Sequence, residues 1–266
     1  VFVVAVVGLG RAVEVEIPEL SADLGLGAYE TGQLLRGGVP FVALRTDDRQ
    51  RASDVLARLR HRGHDALAFD DAAVASSETM ARPKSFRFDD GAFVLEVPGR
   101  PEIVVPFDDI FTLLRAVHKR REQTTTSTSE VKFDIKKAAL SGGVMLTKTV
   151  RTESTKTVDE REPVLYLFRR SAGPLLFSST YARYQGLGTE LRHSQLENFE
   201  LVLSRLRERC PHAIYDDRLV TSRRGAGTER LTSPARGQHV STSAEGVDLY
   251  AHILAMSHAR GQSSYR

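Results

Sequence analysis

The feature that most constrains this chain is a change of hydrophobic period across "AAVASSETMARPK", residues 72–84. Before it, helical and strand patterns alternate. After it, period-two runs and turn signals dominate. Small, polar and Pro-containing, residues 72–84 read as a linker between two domains. Upstream the spacing predicts a strand at Val1–Val7, a helical region at Ser21–Leu35, a strand at Phe41–Arg45, a helix at Arg49–Arg62 and a strand at Ala66–Phe69. The helix at Arg49–Arg62 carries Ala52, Val55, Leu56 and Leu59 on one stripe, with Asp47 or Asp48 as N-cap and Gly63 as terminator.

Downstream, Phe86–Phe88 and Ala92–Val97 flank Asp89-Asp90-Gly91, a hairpin signal, and a further strand at Glu102–Val105 leads into "PFDDI". Asp108 or Asp109 is read as the cap of a short helix with Ile110, Leu113, Leu114 and Val117. Strands are expected at Thr124–Phe133, Met145–Val158, Val164–Arg169 and Leu175–Tyr181, with a helical insert at Lys136–Leu140. "SQLENFELVLSRLRER" then shows a capping box, Ser194 with Glu197, and a stripe of Leu196, Phe199, Val202, Leu203 and Leu206 before Cys210-Pro211. From residue 223 onward Ser, Thr, Gly and Arg dominate, so residues 223–266 read as a disordered basic tail. Its one ordered candidate is "VDLYAHILAMSHAR", where Leu249, Ile253 and Met256 dock on a partner or on the body.

"LGLGAYETGQLLRGGVPFVALRTDDRQRASDVLARLRHRGHDALAF" resembles the C-terminal domain of the ribosomal stalk protein of the large subunit. The likeness covers roughly residues 1–72 and lies in the Leu-Gly-Leu entry to a helix, a glycine-bounded strand, and the spacing of Ala52, Val55, Leu59 and Gly63. It implies a β-α-α-β-α-β module. The family's factor-binding lysines are not there: the segment offers Gly27, Tyr29, Glu30 and Gln33 and no lysine. The element order over residues 85–222, about seven strands and then a helix, is similar to a pleckstrin-homology-like domain, which implies a β barrel plugged by the C-terminal helix. The fold class expected is therefore α+β. Its domains are a module at 1–71, a linker at 72–84, a barrel at 85–222 and a tail at 223–266.

Most function classes fail on charge or spacing. Val4–Val13, "VAVVGLGRAV", opens like a dinucleotide turn, but its third glycine position is Val13, and "VEVEIP" reads as an alternating strand and a break, with no helix for a pyrophosphate. "GGVMLTKT" sets Gly142 six residues before Lys148 and Thr149, but Thr147 stands where a phosphate loop needs glycine. Five Asp-Asp pairs, from Asp47-Asp48 to Asp216-Asp217, sit at turns and helix starts, where capping explains them. His61 and His64 straddle Gly63 and suit helix-terminus charge complementarity better than a metal. No Gly-x-Ser-x-Gly elbow marks a hydrolase, which stays the weakest alternative.

Residues 19–36 resemble a helix-turn-helix with Gly25 in the turn, giving a DNA-binding alternative. Against it, residues 1–78 hold eight arginines and twelve acids, and the recognition-like helix has no cation before Arg36. Residues 223–266 carry six arginines and three acids. Lys119, Arg120, Arg121, Lys148, Arg169 and Arg170 are candidates for an anion-contact rim; a solvated charged face is the simpler reading, and peripheral lipid contact there is not favoured. No catalytic, metal or cofactor-binding residue is assigned, and no cofactor is expected. Cys210 is the only cysteine, which excludes an intramolecular disulfide and makes a reducing cytoplasm the expected compartment. No apolar run reaches the roughly 18 residues a membrane span needs. The sequence reading is a non-enzymatic interaction or regulatory protein whose partner is another protein.

Overall fold

The computed structural model describes residues 1–133, 147–221, 230–232 and 238–263. It is a mixed α+β structure with several sheets. Two compact units are present, one of Val1–His118, Arg161–Glu229 and Ser243–Arg266, the other of Lys119–Glu160 and Arg230–Thr242.

The first unit begins with β1 (Phe2–Gly8), α1 (Val13–Leu24), α2 (Ala28–Arg36), β2 (Phe41–Thr46), α3 (Arg49–His61) and β3 (Asp65–Asp70). β1 is the central strand, antiparallel to β2 and to β3. Its near-continuous apolar sequence follows from burial on both faces. Val4 and Val6 face a core with Leu20, Leu24, Leu35, Val55 and Leu59 from the three helices. Val3, Ala5 and Val7 face a second core with Leu67, Phe69, Leu249 and Ile253.

α1 corrects the sequence reading of a strand and break at Val13–Pro18. Alternation over five residues satisfies a strand, but Val13, Ile17, Leu20 and Leu24 also satisfy a helical stripe, and the core takes that stripe. Glu14 and Glu16 stand in its first turn, where the helix dipole favours acids. A helix therefore does follow Gly8-Leu9-Gly10. The strand before it, however, is flanked antiparallel on both sides, unlike the parallel sheet of a dinucleotide fold. Gly10 has a local reason instead: a Cβ there would stand 2.2 Å from the carbonyl oxygen of Gly63.

The remaining strands of this unit are β4 (Ser85–Phe88), β5 (Ala92–Glu96), β6 (Ile103–Pro106), the first part of β7 (Ile110–Phe133), the last part of β8 (Thr147–Arg169), β9 (Leu175–Ser178) and β10 (Ile214–Asp217). β4, β5 and β6 form an antiparallel sheet of their own, with the Asp89-Asp90-Gly91 turn joining its first two strands. β9 pairs antiparallel with Val164–Leu167, and β10 runs parallel to Thr112–Leu114. Among the described residues no closed barrel forms, which corrects the barrel expected at 85–222. The helix expected at Ile110–His118 is also absent, because those residues are strand. Ile110 and Leu113 enter one core while Leu114 and Ala116 enter another. A strand buried on both faces is an apolar run that periodicity alone cannot tell from a helix.

α4 (Gln195–Arg209) is capped by Ser194, whose side chain accepts from the backbone N–H of Glu197. It sets Phe199, Val202, Leu203 and Leu206 into a core with Phe86, Phe93, Leu165, Leu167 and Phe177. After the short α5 (Arg218–Thr221) comes α6 (Ala244–Ser263), within the segment read as a disordered tail. α6 is sandwiched: Leu249 and Ile253 complete the core on the outer face of the β2-β1-β3 sheet, whereas Val247, Ala251, Leu254 and Ala255 pack with Tyr166, Phe168 and Leu176.

The segment read as a linker, residues 72–84, makes contacts of its own. Ser77 is fully buried, Ala81 bridges to Leu175, and the carbonyl of Lys84 accepts from Arg183 N–H at 2.7 Å. Residues 72–84 are thus pinned along their length, and the segments on either side belong to one unit.

The second unit consists of Lys119–Phe133 of β7 and Thr147–Glu160 of β8, with β11 (Arg230–Thr232) and β12 (Gln238–Thr242). β12 pairs antiparallel with Arg120–Thr124. Arg121 faces Asp159 at 2.7 Å and Thr125 faces Thr155 at 3.3 Å across the two long strands.

Candidate functional site

The α1–α2 hairpin is built around two glycines. Gly25 ends α1 in the left-handed conformation, φ 69°, and its N–H reaches Ser21 O at 2.9 Å. Gly27 starts α2, its N–H held by Glu30 Oε2 at 3.1 Å. Inside the hairpin, Ser21 Oγ donates to Thr31 Oγ1 at 2.9 Å, and Leu20, Leu24 and Leu35 are buried. Outside, Ala22 and Gly25–Glu30 are exposed without interruption. Tyr29 is 76% exposed, Leu26 39%, and the Tyr29 hydroxyl accepts from Gln33 Nε2 at 3.1 Å. A rigid turn thus presents an aromatic ring and a leucine to solvent.

A buried ionic cluster fixes this hairpin to the end of α3. Arg62 donates through Nε to Glu16 Oε1 at 2.9 Å, and its Nη1 lies 2.7 Å from Asp23 Oδ2. Asp23 also meets Arg58 at 2.6 Å. Burial works against the Arg62 charge, but hydrogen bonds to Asp23 and Glu16 outweigh it and raise its pKa. His64 Nδ1 accepts the Gly10 N–H at 3.0 Å, so the proton of the neutral ring sits on Nε2, 3.0 Å from Glu16 Oε2. The cluster explains Glu16, a fully buried acid on an apolar stripe. It also explains a cleft of about 500 Å³ lined by Arg11, Glu19, Ala57, Arg58, His61 and Arg62, where two of the three arginines are already matched by acids.

A second cluster ties α6 to the unit's interior. Tyr166, fully buried on β8, donates to Asp248 Oδ1 at 2.6 Å; the other carboxylate oxygen accepts the Ser77 N–H at 2.8 Å. His118 Nε2 lies 2.7 Å from the Tyr166 oxygen. Since the only phenolic proton points at Asp248, His118 must donate, which places its proton on Nε2. Burial pushes His118 down to about 4, with Glu162 favouring and Arg82 opposing its charge. Burial raises Asp248, although the hydrogen bonds from Ser77 and Tyr166 pull the other way. Burial and the nearby Asp248 hold the Tyr166 pKa well above its ordinary value. The three residues are at most 7% exposed, so the cluster is a sealed clamp on α6. A third contact holds the far end of α6: His258 Nε2 lies 3.3 Å from Asp216 Oδ2 and its Nδ1 lies 3.3 Å from Thr112 Oγ1. Asp216, bonded by His258 and Arg218 against the burial cost, has a strongly lowered pKa.

The six rim candidates are divided between the units: Lys119, Arg120, Arg121 and Lys148 belong to the second, Arg169 and Arg170 to the first. Arg121 pairs with Asp159 at 2.7 Å and Arg120 lies 3.8 Å from Glu122. Arg169 donates to Gly173 O at 2.6 Å, and the Arg170 guanidinium sits 5.7 Å from the Phe111 ring centre. Lys148 is on β8, its side chain outside the described residues, as are Lys136–Leu140 and Gly142. Of the acid pairs, Asp48 caps α3, accepting from Gln50 N–H at 2.8 Å and Arg51 N–H at 3.1 Å. Asp70 accepts from Ala72 N–H, and Asp109 from Ser171 N–H.

Sequence reasoning missed both clusters. Glu16 at the i+3 position of Val13, and Asp248 in an apolar segment, are the only signals that pointed to them. No helix in the described residues is long and apolar enough to cross a membrane. Comparison with protein-family models, with curated proteins and with solved structures finds no match to this chain.

Proposed function

We propose that this chain is a non-enzymatic protein-interaction or regulatory protein whose contact surface is the outer face of the α1–α2 hairpin, with Ala22, Leu26, Ala28 and Tyr29 at its centre. The observation that carries the reading is the exposure of Tyr29, 76%, beside Leu26 on a turn fixed by buried contacts, while the opposite side of the same module is covered by α6. Interface centres are enriched in tyrosine, and a pre-formed backbone reduces the ordering cost of binding. The order β-α-α-β-α-β over residues 2–70 supports the stalk-like reading of this module. A cytoplasmic setting goes with it, given a single, buried cysteine.

The DNA-binding alternative draws support from the arrangement of α1, the Gly25 turn and α2. Charge weighs against it: α2 offers Glu30 and, at its last residue, Arg36.

A photo-reactive phenylalanine analogue at position 29, with the same analogue at Arg51 on the exposed side of α3 as control, tests the proposal in cells. A discrete protein adduct is expected from position 29, lost on Leu26→Asp, and none from position 51. Equal labelling at both positions contradicts the reading. Salt-dependent retention of duplex DNA, lost on Arg36→Ala, transfers the assignment to DNA.

A further inference from the structure

We infer that α6 is an acid-sensitive latch: between neutral pH and about pH 5 its first half, Ala244–Ile253, lifts from the outer face of the β2-β1-β3 sheet and from Tyr166, Phe168 and Leu176 behind it, while the core beneath α4 and the core between α1–α3 and the sheet stay formed. This does not depend on the α1–α2 reading.

The geometry at His252 is the first reason. Its ring lies against Phe69, centroids 5.0 Å apart at 56°, and its Nε2 is sealed from solvent with no hydrogen-bond partner among the described residues. A neutral ring tolerates this by leaving a lone pair there. A protonated ring must place an N–H, and part of a positive charge, in the same spot. Burial accordingly lowers the His252 pKa, with no charged group contributing.

His118 adds to it through Asp248, one helical turn before His252. It is the inner member of the His118–Tyr166–Asp248 chain that holds α6, and it too is buried in the neutral form. The charged groups facing it are Glu162 on β8, which favours protonation, and Arg82, which opposes it. For a histidine whose folded pKa is depressed, the stabilisation is complete above the unfolded value of about 6.5 and is lost as pH falls toward the folded one. With His118 near 4 while α6 is docked, this residue alone costs the docked state up to about 30-fold in equilibrium by pH 5, the limit set by a ring fully returned to solvent on lifting.

Asp248 works in the opposite direction: with its raised pKa it is easier to keep buried in acid. The His258–Asp216 contact, with Arg260 donating to Ala66 O at 3.3 Å and Ser257 reaching Asp65 at 3.4 Å, anchors the second half of α6. Arg60 lies on the Arg260 side and repels it, with Asp65 in compensation. Opening therefore starts at the end that carries Asp248 and His252. The motion is local because the core beneath α4 and the core between α1–α3 and the sheet contain no residue of α6. It uncovers Val3, Ala5, Val7, Leu67 and Phe69, an apolar surface able to receive a partner.

Hydrogen exchange of the full chain near pH 7.5 and near pH 5, corrected for intrinsic rates, tests the latch. Protection of Val247–Ile253 is expected to fall by about 10- to 30-fold in acid, with Phe93–Leu95 of β5 and the helix α3 unchanged. In His118→Gln, which keeps a donor to Tyr166, combined with His252→Phe, the loss is expected to shrink below about threefold. Full protection of Val247–Ile253 in acid overturns the proposal, as does simultaneous loss at β5, which denotes global unfolding. Should the double variant fold and still loosen like the parent, the histidines are not the trigger and the proposal falls. The parent protein decides between local and global opening even if the variant fails to fold.

Discussion

Phe199→Ala is expected to lower the unfolding free energy of the first unit by about 3–5 kcal/mol, the range for deleting a buried aromatic ring and leaving a cavity. Phe199 is 1% exposed, and its ring meets Phe177 with centroids 6.3 Å apart. Val202, Leu203 and Leu206 on the same helix face, and the strands beneath, are already fully packed, so nothing nearby is free to refill the space. The contrast residue is Arg205. Sequence periodicity places it toward solvent, but it pairs with Glu190 and its guanidinium lies 5.5 Å from the Phe88 ring centre, with 26% of the side chain exposed. Arg205→Ala is therefore expected to cost about 1 kcal/mol, from a partly exposed ion pair and one cation–π contact. Urea unfolding of the full chain, followed by tryptophan-free far-UV circular dichroism, measures both. A parent-like midpoint for Phe199→Ala would mean that α4 is an exposed docking surface and not a core element.

Asp248→Ala is the second large effect. The substitution removes the acceptor of the Tyr166 hydroxyl and of the Ser77 N–H, both buried. An orphaned buried donor costs about 1–3 kcal/mol, so a loss of about 2–5 kcal/mol is expected. Tyr166→Phe leaves Asp248 with the Ser77 bond and orphans His118 Nε2, a loss of about 1–3 kcal/mol. The two losses should be less than additive in the double variant, because each removes the same Tyr166–Asp248 bond. Strict additivity would show that the three side chains do not act as one cluster.

What was legible in the sequence was whatever a local rule controls. Asp48 and Gly63 bound α3 because capping and the left-handed terminator act within one turn. Asp89-Asp90-Gly91 set its hairpin, and Ser194 began α4, for the same kind of reason. Two of the failures share one cause, burial on two sides. β7 at Ile110–His118 and α6 at Ala244–Ser263 each divide their apolar residues between two cores, so neither displays the single face on which periodicity depends. α6 was further disguised by Asp248, His252 and His258, which look solvated in sequence but lie at most partly exposed in the structure. The polar composition of residues 72–84 misled similarly. Ser77 is a buried partner of Asp248, not a spacer residue. The exposed tyrosine of the candidate site could be named from sequence, but its isolation on a rigid turn depends on the Glu16–Arg62–Asp23 cluster, whose members lie up to 46 positions apart.

The central claim is that α6 unites the N-terminal module and the following sheets, and limited proteolysis with a low-specificity protease tests it most directly. In the intact chain at neutral pH, no cut is expected between Asp71 and Ser85, since that segment is bridged to Leu175, Arg183 and Asp248. In Ile253→Asp, which places a charge in the core between α6 and the β2-β1-β3 sheet, cleavage in that segment should appear. Ready cleavage between Asp71 and Ser85 in the unaltered chain, leaving two separately folded fragments, would contradict the account.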